Sequence, residues 1–275
     1  MKQQIMGVLN LTPDSFYDGG RYSSFESAFA YARKMIEEGV DILDIGGEST
    51  RPATAFHQEH GAVMTLPEEE ERQRVLPLLE VLCREFPIQK FSVDTRKAKI
   101  ADEVIQLGVQ YISYVTDKVY DDMAEVLGRN PQTSIILCHM RGSPKTMQEG
   151  EFHDGPMIPY LQEWFQEQIS KLKTYGVKEQ QIILDPGIGF GKRKPDQDFE
   201  ILRGIRELKN MGFPVLIGLS RKSFMGHVLK KKASDLLPAT LVLNAIALSQ
   251  GADIIRVHDV ADHKDLLALL TQLFI

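Results

Sequence analysis

A short apolar run ending in a polar or charged residue, a turn, and then a longer segment of helical spacing: this order repeats eight times along the chain. The apolar runs are Ile5 to Leu11, Val40 to Ile45, Lys90 to Asp94, Tyr111 to Val115, Ser134 to Met140, Gln181 to Asp185, Pro214 to Leu219 and Asp253 to His258. Continuous apolar runs suit strands covered on both faces, as in parallel sheets. The segments between them read as helices: Ser24 to Glu38, Leu66 to Phe86, Lys97 to Leu107, Asp121 to Gly128, Pro159 to Tyr175, Gln197 to Met211, Leu237 to Gln250 and Asp262 to Phe274. The first sets Phe25, Ala28, Phe29, Ala32, Met35 and Ile36 on one face, and Gly39 just beyond reads as its stop. Parallel neighbours cannot be joined by a tight turn, so strict alternation demands crossover helices. Eight such units predict an α/β fold of one kind, a closed (β/α)8 or TIM barrel. A doubly wound open sheet is the rival, but the first strand runs into Asn10-Leu11-Thr12-Pro13-Asp14-Ser15 rather than a GxGxxG turn. With no linker or low-complexity stretch in 275 residues, the chain reads as a single domain, 1–275.

Composition narrows the function classes. Lys plus Arg is 32 against 38 for Asp plus Glu, a net charge of -6, which argues against a nucleic-acid-binding surface. Cys83 and Cys138 lie in apolar segments without CxxC spacing, so neither a disulfide framework nor a structural zinc site is expected, and a reducing cytosol fits. No apolar run approaches the ~20 residues of a membrane span, and the start Met1-Lys2-Gln3-Gln4 lacks the marks of a signal peptide.

Barrels of this kind carry their active sites at the C-terminal ends of the strands. Those ends give Asn10; Asp44 with Glu48, Thr50 and Arg51; Asp94 with Thr95; Ser113 and Tyr114; His139 with Arg141; Asp185; Ser220, Arg221 and Lys222; and Arg256, His258 and Asp259. Arg51, Lys222, Arg256 and His258 form an anion set suited to a phosphate or pyrophosphate. Asp94 and Asp185 suit the paired N–H donors of a heterocycle, or acid-base work. Asn10, with Asp14 and Asp18 nearby, offers oxygens to a hard cation, and Mg2+ typically takes few protein oxygens and shares the phosphates of a substrate. The most pointed segment runs from Ile182 to Lys192, where a carboxylate at a strand end is followed by Pro186, Gly187, Gly189 and Gly191.

Plainer readings stand beside these. Asp44 and Asp259 serve equally well as helix caps. His139 reads as structural more readily than catalytic, His57 and His60 as members of a solvated loop, Lys230-Lys231-Lys232 as an exposed helix end, and Cys83 as core.

Seven stretches, in order, resemble dihydropteroate synthases: MGVLNLTPDSFYDGG from Met6, DIGGESTRP from Asp44, SVDT from Ser92, HMRGSPKTMQ from His139, LDPGIGF from Leu184, GLSRKS from Gly218 and IRVHDV from Ile255. The resemblance implies a barrel that joins 6-hydroxymethyl-7,8-dihydropterin pyrophosphate to 4-aminobenzoate in folate synthesis, by an SN1-like displacement assisted by Mg2+, and a target of sulfonamides. It implies that Asp94 and Asp185 hold the pterin ring, with Ser113 at a further pterin position, Lys222 alongside and Arg256 stacked over it. Asn10, Arg256 and His258 would hold the pyrophosphate, with Asn10 the metal ligand. Thr50, Arg51, Pro52, Phe190 and Ser223 would form the aminobenzoate pocket, and Phe16 and Asp18 would ride on loops that close over it. Catalysis would fall to Lys222, Arg256, His258, Asp94 and Asp185. The partners implied are small-molecule substrates and a second copy of the chain, with the apolar helices near the C-terminus as the homodimer face.

Three departures from the pattern carry expectations of their own. Ser113-Tyr114 stands where the family has Asn-Asp, so a pterin contact is shortened or passed to water. The segment from Ala53 to Pro67 is longer than usual beside the aminobenzoate position. The chain starts almost at its first strand, which fits either a module of a longer bifunctional folate enzyme or a compact stand-alone version. Two other functions compete. A methyltransferase using methyltetrahydrofolate would share the carboxylates but has no need of the anion set, and a binding paralogue would keep the pocket without turnover.

Overall fold

Residues 3–11, 25–48, 66–143, 146, 147, 149, 151–193 and 195–273 are described by the structure, a computed structural model. Its strands are β1 Gln4–Asn10, β2 Ile42–Gly46, β3 Lys90–Asp94, β4 Tyr111–Thr116, β5 Ser134–His139, β6 Ile182–Asp185, β7 Leu216–Ile217 and β8 Ile254–Val257. They pair in parallel in the order β6-β5-β4-β3-β2-β1-β8-β7. A parallel bridge between Leu184 and Val215 joins the two ends and closes the sheet. The expected (β/α)8 barrel is the observed fold.

The helices are α1 Phe25–Glu37, α2 Glu68–Glu85, α3 Ala98–Gln106, α4 Asp121–Arg129, α5 Met157–Thr174, α6 Asp196–Arg203, α7 Ile205–Lys209, α8 Ser223–Leu229, α9 Leu237–Ser249 and α10 Val260–Leu273. On α1 the buried residues are Ala28, Ala32 and Met35, the inward stripe that its spacing predicts. Two features differ from the sequence reading. The single helix expected from Gln197 to Met211 is broken at Gly204, where a Cβ would come within 2.3 Å of the Ile158 side chain on α5. Close packing there demands glycine, and glycine weakens the helix. The short α8 after β7, with the sequence SFMGHVL, was hidden because seven residues are too few to show a period. Among the described residues no helix is long and apolar enough to cross a membrane.

Side chains alternate between the barrel interior and the surrounding helices. Met6, Ile42, Ile136, Ile183, Leu216 and Ile254 form a separate apolar cluster, the floor of the interior, with Tyr111 packed against it. Two residues further along each strand the same inward face carries Val8, Asp44, Cys138, Asp185, Gly218, Arg256 and Ser113. Parallel register sets Val8 beside Asp44, Asp44 beside Ser92, and Asp94 beside Ser113. The fold thus places an apolar plug below and a polar layer above it.

Candidate active site

Arg256 reaches across the polar layer to two carboxylates. Its Nη2 donates to Asp94 Oδ2 at 2.9 Å and lies 2.5 Å from Asp44 Oδ2. Asp44 is fully buried and Asp94 is 5% exposed, so one guanidinium faces two carboxylates out of water. Burial pushes the Asp94 carboxyl up to about 7, with Arg256 pulling against it and the Asp44 charge adding to it. The helix-cap alternative for Asp44 is thereby overturned: the residue sits before the end of β2, on the inward face two positions beyond Ile42. Asp259 also does other work than capping, since its carboxylate takes two bonds from Arg221, at 2.9 and 2.6 Å.

The turn after β6 supplies the second half of the site. Asp185 is 6% exposed, and its Oδ1 accepts the Gly187 N–H at 2.8 Å. Lys222 donates a short hydrogen bond to the Ile188 carbonyl and places its ammonium 4.3 Å from the centre of the Phe190 ring. Burial lowers the Lys222 pKa, with Asp185 opposing the shift. Phe190 itself packs with Val115 of β4, Cys138 of β5, and Met140 and Met147 beyond the end of β5.

The other expected residues that are described lie at the ends of the strands. His258 Nδ1 lies 3.0 Å from Ser220 Oγ, and its carbonyl accepts from Tyr31 Oη at 3.2 Å. Asn10 ends β1 beside Gly46, whose Cβ, were there one, would sit 3.7 Å from Asn10 Oδ1. Ser113 is buried next to Asp94. Ser223 opens α8 and is exposed. Tyr114 does not belong to the site: it faces outward, packs in the layer between sheet and helices, and burial pushes its phenol up to about 12. Phe16, Asp18, Asp14, Thr50, Arg51 and Pro52 lie outside the described residues.

Several site residues were not singled out by sequence reasoning. Lys97 bridges Glu48, at 2.8 Å, and fully buried Glu71, while Glu48 Oε1 accepts the Leu66 N–H at 3.1 Å. This cluster ties together the two chain ends that flank residues 49–65. Lys192, 1% exposed, is a buried cation inside the β6 turn. Three glycines within five residues were the available signal that something fills the turn at Lys192.

Among the described residues no group of three or more His, Cys, Asp or Glu side chains could hold a metal ion. A single amide oxygen at the mouth, Asn10 Oδ1, nevertheless fits Mg2+, which keeps waters and takes substrate phosphate oxygens in preference to an all-protein cage.

A barrel whose mouth gathers inward carboxylates and half-buried cations above an apolar floor is an enzyme of the (β/α)8 class. The family described as pterin binding enzyme matches residues 6–258. A dihydropteroate synthase of Synechocystis sp. is 38% identical over 257 residues, 93% of this chain and 85% of that one. The solved dihydropteroate synthase of Yersinia pestis, in complex with a sulfonamide drug, superposes with a TM-score of 0.89 at 33% identity, covering 99% of this chain and 94% of that one. The Xanthomonas albilineans enzyme in complex with 7,8-dihydropteroate gives 0.84 at 29% identity, with coverages of 99% and 94%. The chain belongs to the dihydropteroate synthase family of transferases.

Proposed function

We propose that the barrel mouth joins 6-hydroxymethyl-7,8-dihydropterin pyrophosphate to 4-aminobenzoate, giving dihydropteroate for folate synthesis and releasing pyrophosphate. The observation that carries this reading is the inward pair Asp94 and Asp185, flanked by Arg256 and Lys222, at one end of the barrel. Carboxylates accept pairs of N–H donors, which a pterin ring presents. Arriving pterin donors compete with Arg256 for Asp94, and a guanidinium displaced from Asp94 is available to the ring face or the pyrophosphate. Ser113 offers one hydroxyl at the same layer, with less reach than an amide. Lys222 lies against the turn that carries Asp185, and His258 and Asn10 hold the pyrophosphate end.

As pyrophosphate leaves, positive charge develops on the pterin methylene, and groups that stabilise the departing anion accelerate the step. Mg2+ at Asn10 would supply neutralisation of the leaving pyrophosphate. The neutral aromatic amine then attacks, so no strong base is needed beforehand, and the Ser220–His258 contact at 3.0 Å is not called on as a nucleophile-base pair. Phe190 and Ser223 lie on the aminobenzoate side, to which the family resemblance assigns Thr50, Arg51 and Pro52 as well, and the closure it assigns to Phe16 and Asp18 would exclude water. A sulfonamide, as in the Yersinia pestis complex, would take the aminobenzoate place.

The whole chain acts as one barrel unit in the cytosol, alone or as part of a bifunctional folate enzyme, and free Cys83 and Cys138 suit a reducing compartment. Val242, Ile246, Leu269 and Leu273 are exposed at 60, 42, 67 and 74% on α9 and α10, a face for a second copy. Sedimentation of Leu269→Glu as a monomer beside a dimeric parent tests that face; identical sedimentation contradicts it. Incubation with both substrates and Mg2+ tests the reaction: dihydropteroate appears by mass spectrometry, and recovery of both substrates unchanged contradicts the reading.

A further inference from the structure

The β6 turn is wrapped around an ammonium group. Lys192 Nζ lies 2.8 Å from His139 Nδ1 and within 3.0, 3.2 and 3.4 Å of the Gly187, Phe190 and His139 carbonyls. An ammonium donates and never accepts, so charged Lys192 makes His139 Nδ1 the acceptor and leaves the histidine proton on Nε2, which faces Tyr160 Oη at 3.4 Å. Gly187, Gly189 and Gly191 reach this wrapping with φ of +68, +83 and +68°. A Cβ on Gly187 would lie 1.8 Å from the His139 carbonyl oxygen, so the turn is pressed against the end of β5. Its carbonyls divide between two cations: those of Gly187 and Phe190 go to Lys192, and that of Ile188 goes to Lys222.

A buried lysine serving only as filler would be replaced by an apolar side chain at no cost, because burying a charge is expensive unless it is well paired. Here the pairing partners are the backbone of the turn that carries Asp185 at its start and Phe190 at its crest. We propose that Lys192 is a positioning residue of the reaction: its ammonium holds the 185–192 turn in the shape that presents Asp185 and Phe190 to the mouth and keeps the Ile188 carbonyl within reach of Lys222. This rests on the reaction assigned above.

The groups facing Lys192 are Cys138 and His139 from β5, Asp185 from β6, Asp198 from α6 and Lys222 beyond β7. Burial above all, with Lys222 as a lesser cause, lowers the Lys192 pKa from 10.5 to about 8, against Cys138, Asp198 and Asp185. A folded pKa below the unfolded one means that the unfolded chain holds the extra proton between these values, so Lys192 makes the fold more stable as pH rises across the window. Loss of function there is therefore not unfolding caused by this group.

Lys192→Met keeps the length and removes the donors. The expected result is KM raised about tenfold or more for both substrates in folded protein; KM values within twofold of the parent overturn the proposal, whatever the change in Tm. Should Lys192→Met not fold, the parent decides. Its pterin affinity, read by pterin fluorescence, falls tenfold as pH rises through about 8, the amide signals of Gly187 and Phe190 move with the same midpoint, and circular dichroism stays constant. Affinity that is flat to about pH 9.5, or amides that do not move with it, overturn the proposal. Parent protein that releases no pyrophosphate, yet loses pterin affinity tenfold in Lys192→Met, defeats the assigned reaction and leaves the role of Lys192 standing.

Discussion

Arg256 between Asp44 and Asp94 leaves the polar layer one negative charge in excess, and that excess sets how the site responds to pH. The Asp94 pKa rises from 3.8 to about 7, so this group contributes stability that is full below about 4 and lost as pH climbs through about 7. Ligand binding runs the other way, because pterin N–H donors need the carboxylate. Pterin affinity should therefore improve as pH rises from about 5.5 through about 7, and in Asp44→Asn, which removes the charge that helps raise Asp94, the improvement should move to lower pH. Fluorescence titration across that range checks it, and equal affinity at both ends contradicts it. Lys222→Ala and Asp185→Asn should each lower kcat/KM by about a hundredfold or more, the size seen when a preorganised electrostatic contact is removed. Melting temperatures should stay within a few degrees; near-normal turnover in both variants defeats the assignments. Asp94 and Asp185 were legible from the sequence because each ends an apolar run. The pairing of Asp44 with Arg256 was not, because it joins β2 to β8 across β1, and only the return of the last strand to pair with the first makes them near neighbours.

At the scale of elements, the β6 turn has least room for change. Gly187→Ala combines a φ of +68° with a Cβ placed 1.8 Å from the His139 carbonyl oxygen, so its unfolding free energy should drop by more than about 2 kcal/mol. Gly108→Ala is the matched control: φ is +95° but nothing lies within 4 Å, and only the backbone strain of about 1–2 kcal/mol should be lost. Urea denaturation of both variants checks the difference, and equal losses contradict it. All eight strands were legible, as was the existence of nearly every helix, because periodicity survives in any context. The break at Gly204 was not, since it depends on Ile158 packing from another helix. Tyr114 misled for a related reason: it adjoins Ser113 in sequence, yet a strand turns neighbours to opposite faces, and β4 sends Tyr114 out to the helices.

For the molecule as a whole, the barrel turns a linear list of strand-end residues into one mouth, with Asp185 and Phe190 on one side, Asp94, Ser113 and Arg256 on another, and Asn10 and His258 between β1 and β8. Membership of the dihydropteroate synthase family follows from matches along nearly the full chain. What that mouth does in this chain is measured most directly by pyrophosphate release with each component left out in turn. The account predicts release only when dihydropterin pyrophosphate, 4-aminobenzoate and Mg2+ are all present, and its loss on chelation with no change in Tm. Pterin binding with no release under any combination, or release that is indifferent to 4-aminobenzoate, would contradict it.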